Sequence, residues 1–134
     1  MSSPLSAYLN AVRAEYRTGL ATEHSYRPAL KALIEALQTG VAATNEPRRI
    51  DCGAPDYVVT RQSLTVGYVE AKDIGDPLDE AARSPQLKRY LRALSNLVLT
   101  DYLEFRWYVD GELRQAARLA IPQPDGALKA ERGG

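Results

Sequence analysis

The sequence predicts an α/β domain built on a mixed β-sheet with packed helices. Three observations carry this. Residues 4–40 repeat Leu, Val and Tyr at helical spacing, residues 41–72 and 96–119 are rich in β-branched and aromatic residues broken by turn dipeptides, and a third helical stretch separates those two regions. Helix, helix, hairpin, helix, strands is an α/β order, read as a mixed sheet with helices over one face.

Ser2 or Ser3 caps a first helix over 4–18, with Pro4 in its first turn and Gly19 as its stop. Leu5, Tyr8, Leu9, Val12 and Tyr16 form its apolar face. Leu30, Leu33, Ile34 and Leu37 mark a second helix ending at Gly40. Pro28 belongs in a first turn, which favours Ser25 over Thr22 as its cap. If the helical phase extends back, Glu23 falls on the apolar face, seven residues before Leu30.

Val41 to Thr44 reads as a strand, and Pro55 to Arg61 with Leu64 to Lys72 as a hairpin turning at Gln62 and Ser63. Asp73 to Pro85 reads as a polar loop, and Gln86 to Leu94 as a helix through Leu87, Leu91 and Leu94. Asn96 to Thr100, Leu103 to Val109 and Leu113 to Leu119 read as strands, the last two joined at Asp110-Gly111. One domain over 1–121 is expected, with its core over 22–121 and 122–134 as a flexible tail or the start of a linker.

Composition narrows the function. The 134 residues include 17 basic and 17 acidic side chains, so net charge points to neither nucleic acid nor membrane. No run of about 18 apolar residues is present to cross a bilayer. Cys52 is the one cysteine, which excludes an internal disulfide and points to a reducing, cytoplasmic setting. With His24 the one histidine, a structural zinc site of about four Cys or His ligands is excluded.

The chemistry centres on two acids and a lysine. Alternation along a strand places Glu70 and Lys72 on one face, and the hairpin returns Asp56 to about the level of Tyr68 to Glu70. Two carboxylates so close repel each other and lose hydration, which calls for a cation. Lys72 supplies one positive charge. A hard divalent ion, Mg²⁺ or Mn²⁺, suits Asp56 and Glu70 with waters and the Ala71 carbonyl. Such an ion would polarise a phosphate oxygen, with Lys72 orienting the attacking water or offsetting charge on phosphorus. Equally, Asp56 reads as a turn residue after Pro55, and Glu70 with Lys72 as an exposed pair contributing under ~1 kcal/mol.

Pro55-Asp56, thirteen intervening residues and Glu70-Ala71-Lys72 resemble the signature of the PD-(D/E)XK nuclease superfamily. Gln86 and Tyr90, one helical turn apart in QLKRY, resemble the Q-x-x-x-Y motif of its RecB-like and Mrr-like branches. Glu23 is similar to the acidic residue those branches carry on the first core helix, where it would hold a metal-bound water. From Leu20 to Leu113, through NEPRRIDCGAPDYVVTR, GYVEAKDIG and QLKRYLRALSNLVLTDYLEFRWYVDGE, the chain is similar to the amino-terminal nuclease domain of large single-chain restriction-modification enzymes. There such a domain precedes a helicase-like ATPase, an adenine methyltransferase and a target-recognition domain.

The resemblance implies a restriction-endonuclease-like three-layer fold, a central mixed β-sheet flanked by helices. It also implies a Mg²⁺-dependent DNA endonuclease with Asp56, Glu70, Lys72, Gln86, Tyr90 and Glu23 in its site. Helicase and methyltransferase domains would be covalently linked, and a double-strand break would bring two copies together as a transient homodimer. A non-cleaving DNA-binding module of the same fold and a junction-resolvase-like nuclease are the alternatives. Arg48 and Arg49 are the candidates for phosphate contacts, whereas Lys88, Arg89 and Arg92 read as a solvated helix face. Tyr102, Phe105, Trp107 and Tyr108 could stack on bases, but a sheet strand favours core packing.

Overall fold

Side-chain spacing sets the first two helices, and their buried faces set where they lie. The computed structural model describes residues 3–45, 48–125 and 127–130, without the Glu23 side chain. Helix α1 spans Pro4–Arg17, its Ser3 Oγ accepting the Ser6 N–H at 3.1 Å. Tyr8 and Val12 are its buried residues. A short 3-10 helix, Glu23–Tyr26, then leads into α2, Arg27–Leu37. Helical structure therefore begins before the expected Ser25 cap. Ser25 instead turns back, its Oγ accepting the Thr22 N–H at 3.0 Å, and Pro28 still falls in the first turn of α2.

Six strands follow: β1 Val41–Asn45, β2 Tyr57–Arg61, β3 Leu64–Ala71, β4 Asn96–Thr100, β5 Glu104–Val109 and β6 Glu112–Arg118. They lie side by side in sequence order. The β3–β4 pair is parallel and the other pairs are antiparallel, so the sheet is mixed. Both hairpin turns use left-handed residues, Gln62 and Ser63 at φ 52° and 67°, and Asp110 and Gly111 at 49° and 83°. That geometry matches the twist of the flanking strands.

A parallel pair needs a crossover. Here it carries two helices, α3 Leu78–Ala82 and α4 Pro85–Ala93. The expected polar loop over 73–85 thus contains a helical turn. Leu78 is buried, and Arg106 reaches both Asp79 Oδ1 at 2.9 Å and Glu104 Oε2 at 2.7 Å, tying α3 to β5. One helix turn with a single buried leucine is too short for periodicity to reveal.

The helices cover both faces of the sheet, where element order alone suggested one. Tyr8, Val12, Leu30 and Leu33 pack with Ala43, Tyr57, Val69 and Ala71. Leu78, Leu87, Tyr90 and Leu94 pack with Leu97, Leu99 and Tyr108 on the other side. Strands β3 and β4 serve both layers because successive side chains point to opposite faces. Tyr102 and Tyr108 are buried as core packing requires, while Trp107 is 43% exposed.

The tail also differs from expectation. Strand β7, Ala120–Pro122, pairs antiparallel with β8, Leu128–Ala130, and Leu128 is buried beside Ala120 in the α1–α2 layer. One leucine in a polar segment gave no period to read. Residues 131–134 lie outside the described residues. Among the described residues no helix is long and apolar enough to cross a membrane.

Candidate active site

The site begins where β3 ends. The Lys72 N–H continues the parallel ladder to the Thr100 carbonyl at 2.8 Å. The Ala71 N–H turns the other way and donates to Asp56 Oδ2 at 2.8 Å. Tyr57 pairs with Val69, so Asp56, one residue earlier, stands level with Glu70. The Asp56 N–H donates to Glu70 Oε1 at 3.2 Å, and Lys72 Nζ lies 3.4 Å from Glu70 Oε2. Asp56, Glu70 and Lys72 are thereby brought together. The amide and carbonyl of one strand residue leave on the same side, so regular strand geometry sends the Ala71 carbonyl toward the β2 edge as well.

Glu70 is 4% exposed. Its burial, and then the charge of Asp56, push its pKa up to about 7, while Lys72 pulls the other way. Asp56 has a partner that sequence reading missed. Arg27, 5% exposed at the start of α2, places Nη2 2.8 Å from Asp56 Oδ1 and Nη1 3.2 Å from Asn45 Oδ1. Burial works against the Arg27 charge, yet Asp56 and the Tyr102 hydroxyl outweigh it and raise its pKa. A signal was present. Arg27 precedes Leu30 by three residues and Ile34 by seven, so a cation stands on the apolar stripe, where it needs a buried anion.

Tyr90 is buried in the core with Leu87, Leu97, Leu99 and Tyr108. The Ala54 amide hydrogen-bonds its hydroxyl, and burial, followed by the Glu70 charge, raises its pKa. A Cβ added at Gly53 would lie 3.0 Å from that hydroxyl. Gly53 adopts φ +132°, a backbone conformation that suits glycine. Tyr90 therefore supports the segment that delivers Asp56, with its hydroxyl in electrostatic range of Glu70 and Asp56.

Gln86 is half-buried one turn earlier and, among the described residues, makes no hydrogen bond to the three central side chains. Arg48 and Arg49 are exposed on the segment approaching Asp56. Glu23 lies at the start of the 3-10 helix, its side chain outside the described residues.

The donor set is two carboxylates and a main-chain carbonyl. Among the described residues no third His, Cys, Asp or Glu joins Asp56 and Glu70 to make a metal-holding group. Such a sparse set of hard oxygens fits Mg²⁺, which keeps several of its waters, and suits Mn²⁺ also.

Fold and site together define an α/β sheet domain with an acid, acid and lysine cluster at the end of its parallel strand pair. Among solved structures, DrdV in a cryo-EM structure of a DrdV–DNA complex is similar over 86% of this chain, with a TM-score of 0.72 and 22% sequence identity. At that identity the likeness shows the fold. The match spans 12% of the DrdV chain. No protein-family profile and no curated protein matches the sequence.

Proposed function

We propose that this chain is a divalent-metal-dependent DNA endonuclease domain of the PD-(D/E)XK kind. The observation that carries this is the meeting of Asp56, Glu70 and Lys72 at the β3 terminus, with Glu70 buried beside a second carboxylate. Glu70 keeps a raised pKa there even with Arg27 on Asp56 and Lys72 beside it, as groups at functional sites often do. DNA as the partner is supported by the fold shared with DrdV, which was captured with DNA.

Asp56, Glu70 and the Ala71 carbonyl would hold Mg²⁺ or Mn²⁺. Bound there, the ion supplies Lewis acidity toward a phosphate oxygen and lowers the pKa of a coordinated water. The protein's part is placement and charge. The Ala71 amide and Arg27 fix both oxygens of Asp56, and each oxygen retains further acceptor capacity. Lys72, whose side chain is 26% exposed, is accessible enough to hold the attacking water and to offset charge building on the phosphoryl oxygens. Tyr90 holds the Gly53–Ala54 backbone that presents Asp56. Arg48 and Arg49 would contact flanking phosphates, each contact being salt-sensitive and indifferent to sequence.

The wider setting belongs to the same reading. Since the match takes in only a small part of DrdV, further domains on one polypeptide, helicase-like and methyltransferase, would choose the DNA target. Two copies would meet transiently for a double-strand break. The test is cleavage of supercoiled plasmid with Mg²⁺ or Mn²⁺. Cutting should require the metal and disappear in both Asp56→Ala and Lys72→Ala, and undiminished cutting by either variant would remove the site assignment.

A further inference from the structure

The outermost strands of a sheet carry a row of main-chain N–H and C=O groups with no strand beside them, and such a row is a template on which another chain adds a strand. Here those strands are β1 and β6. Strand β6 carries its own deterrents. Glu112, Arg114 and Arg118 set charges along it, and its register against β5 slips between Leu113 and Gln115, a bulge that breaks the regular edge. Strand β1 has no such feature of its own. Val41-Ala42-Ala43-Thr44-Asn45 contains no charge and no proline, and it pairs with β2 in unbroken register.

The outer side of β1 is closed from α2 instead. Glu35 Oε2 accepts the Ala43 N–H at 2.9 Å, and Lys31 Nζ donates to the Ala43 carbonyl at 2.8 Å. Lys31 and Glu35 also hold each other at 2.6 Å, one helical turn apart. Both main-chain groups of the central strand residue are thus taken by one ion pair, in the donor and acceptor pattern that a neighbouring strand would offer. The Glu35 carboxyl is held below the usual glutamate range, by Lys31 first and by the Ala43 N–H second. Stability does not call for this arrangement. Water would satisfy the same two groups on an exposed edge, and an ion pair whose side chains are 45% and 34% exposed adds little to a helix.

We infer that Lys31 and Glu35 close the outer edge of β1 against strand addition by a second copy of this chain. Running antiparallel about Ala43, two copies of β1 would set Val41 opposite Asn45 and Ala42 opposite Thr44, with no like charges to keep them apart. A two-fold contact of this kind uses the same surface on both copies. The ion pair occupies the middle of that register, on the side where the second strand would run. It therefore keeps the sheet from extending through β1, and copies that meet must do so through other surfaces. The inference stands apart from the nuclease reading, because β1 holds none of Asp56, Glu70 and Lys72.

The test is sedimentation velocity of the full chain without metal or DNA, over a wide range of concentration, on wild type and Lys31→Ala/Glu35→Ala. The double variant should self-associate at least tenfold more tightly than wild type. Adding Ala42→Lys and Thr44→Lys to it sets like charges opposite one another across the two-fold and should abolish that association. A double variant no more associated than wild type overturns the inference. So does association that survives the added lysines, which would place the contact on another surface. If the double variant does not fold, Lys31→Glu takes its place with the same outcomes, since like charges one helical turn apart repel and the pair cannot form. Hydrogen exchange gives a second measurement, on wild type itself. The Ala43 amide should be protected although it faces away from β2, and Lys31→Glu at low concentration should expose it. Free exchange of that amide in wild type would overturn the inference as well.

Discussion

Glu70→Gln should make the metal-free protein more stable at alkaline pH and change little in acid. Folded Glu70 keeps its proton up to about 7, whereas an ordinary glutamate releases it near 4.5. Between those values the native state binds more protons than the unfolded chain, so wild type loses stability as pH rises through the window. At about 1.4 kcal/mol per pH unit, the full displacement amounts to roughly 3 kcal/mol. The substituted amide keeps the shape of the side chain and cannot ionise, so groups that titrate in both proteins cancel in the difference. The assay is urea unfolding of both proteins in chelator at half-unit steps from about pH 4 to pH 8.5. The stability of the variant relative to wild type should climb by roughly 3 kcal/mol, most steeply between about pH 5 and pH 7. A difference that stays flat across the range would refute the claim that Glu70 is buried against a second carboxylate. A difference that falls with pH would mean that Lys72 governs Glu70 and Asp56 does not.

Gly53→Ala should cost on the order of 1–3 kcal/mol and abolish plasmid cutting, because φ +132° excludes a side chain and the new methyl meets the Tyr90 hydroxyl. Urea midpoints measure the first effect; an unchanged midpoint would detach Tyr90 from the delivery of Asp56. Leu128→Ala should destabilise by about 2–5 kcal/mol, since Leu128 is buried in the α1–α2 layer. Wild-type thermal stability in that variant would return the tail to the role of a free end.

Local patterning made much of this protein readable. Both hairpin turns, the β4 strand and the α1, α2 and α4 helices follow from apolar spacing and turn dipeptides, because a period of two or 3.6 is written in consecutive residues. The site's centre was legible for the same reason. A tight hairpin at Gln62-Ser63 fixes its own register, and register alone sets Asp56 level with Glu70. The covering of both sheet faces was not decided by element order, since alternation along β3 and β4 states only that each has two apolar sides. Nor could short pieces such as α3 and β8 announce themselves with one buried leucine apiece.

What only the tertiary structure decided is the company the carboxylates keep. Arg27 and Asp56 stand 29 residues apart and belong to different layers, and they meet because α2 packs over β1 and β2. Tyr102, from the turn after β4, completes the same contact in a backbone conformation that no propensity favours. The sequence by itself determined that two acids and a lysine would share a strand end. Long-range packing determined that a buried arginine would join them, and with it the balance of charge at that strand end.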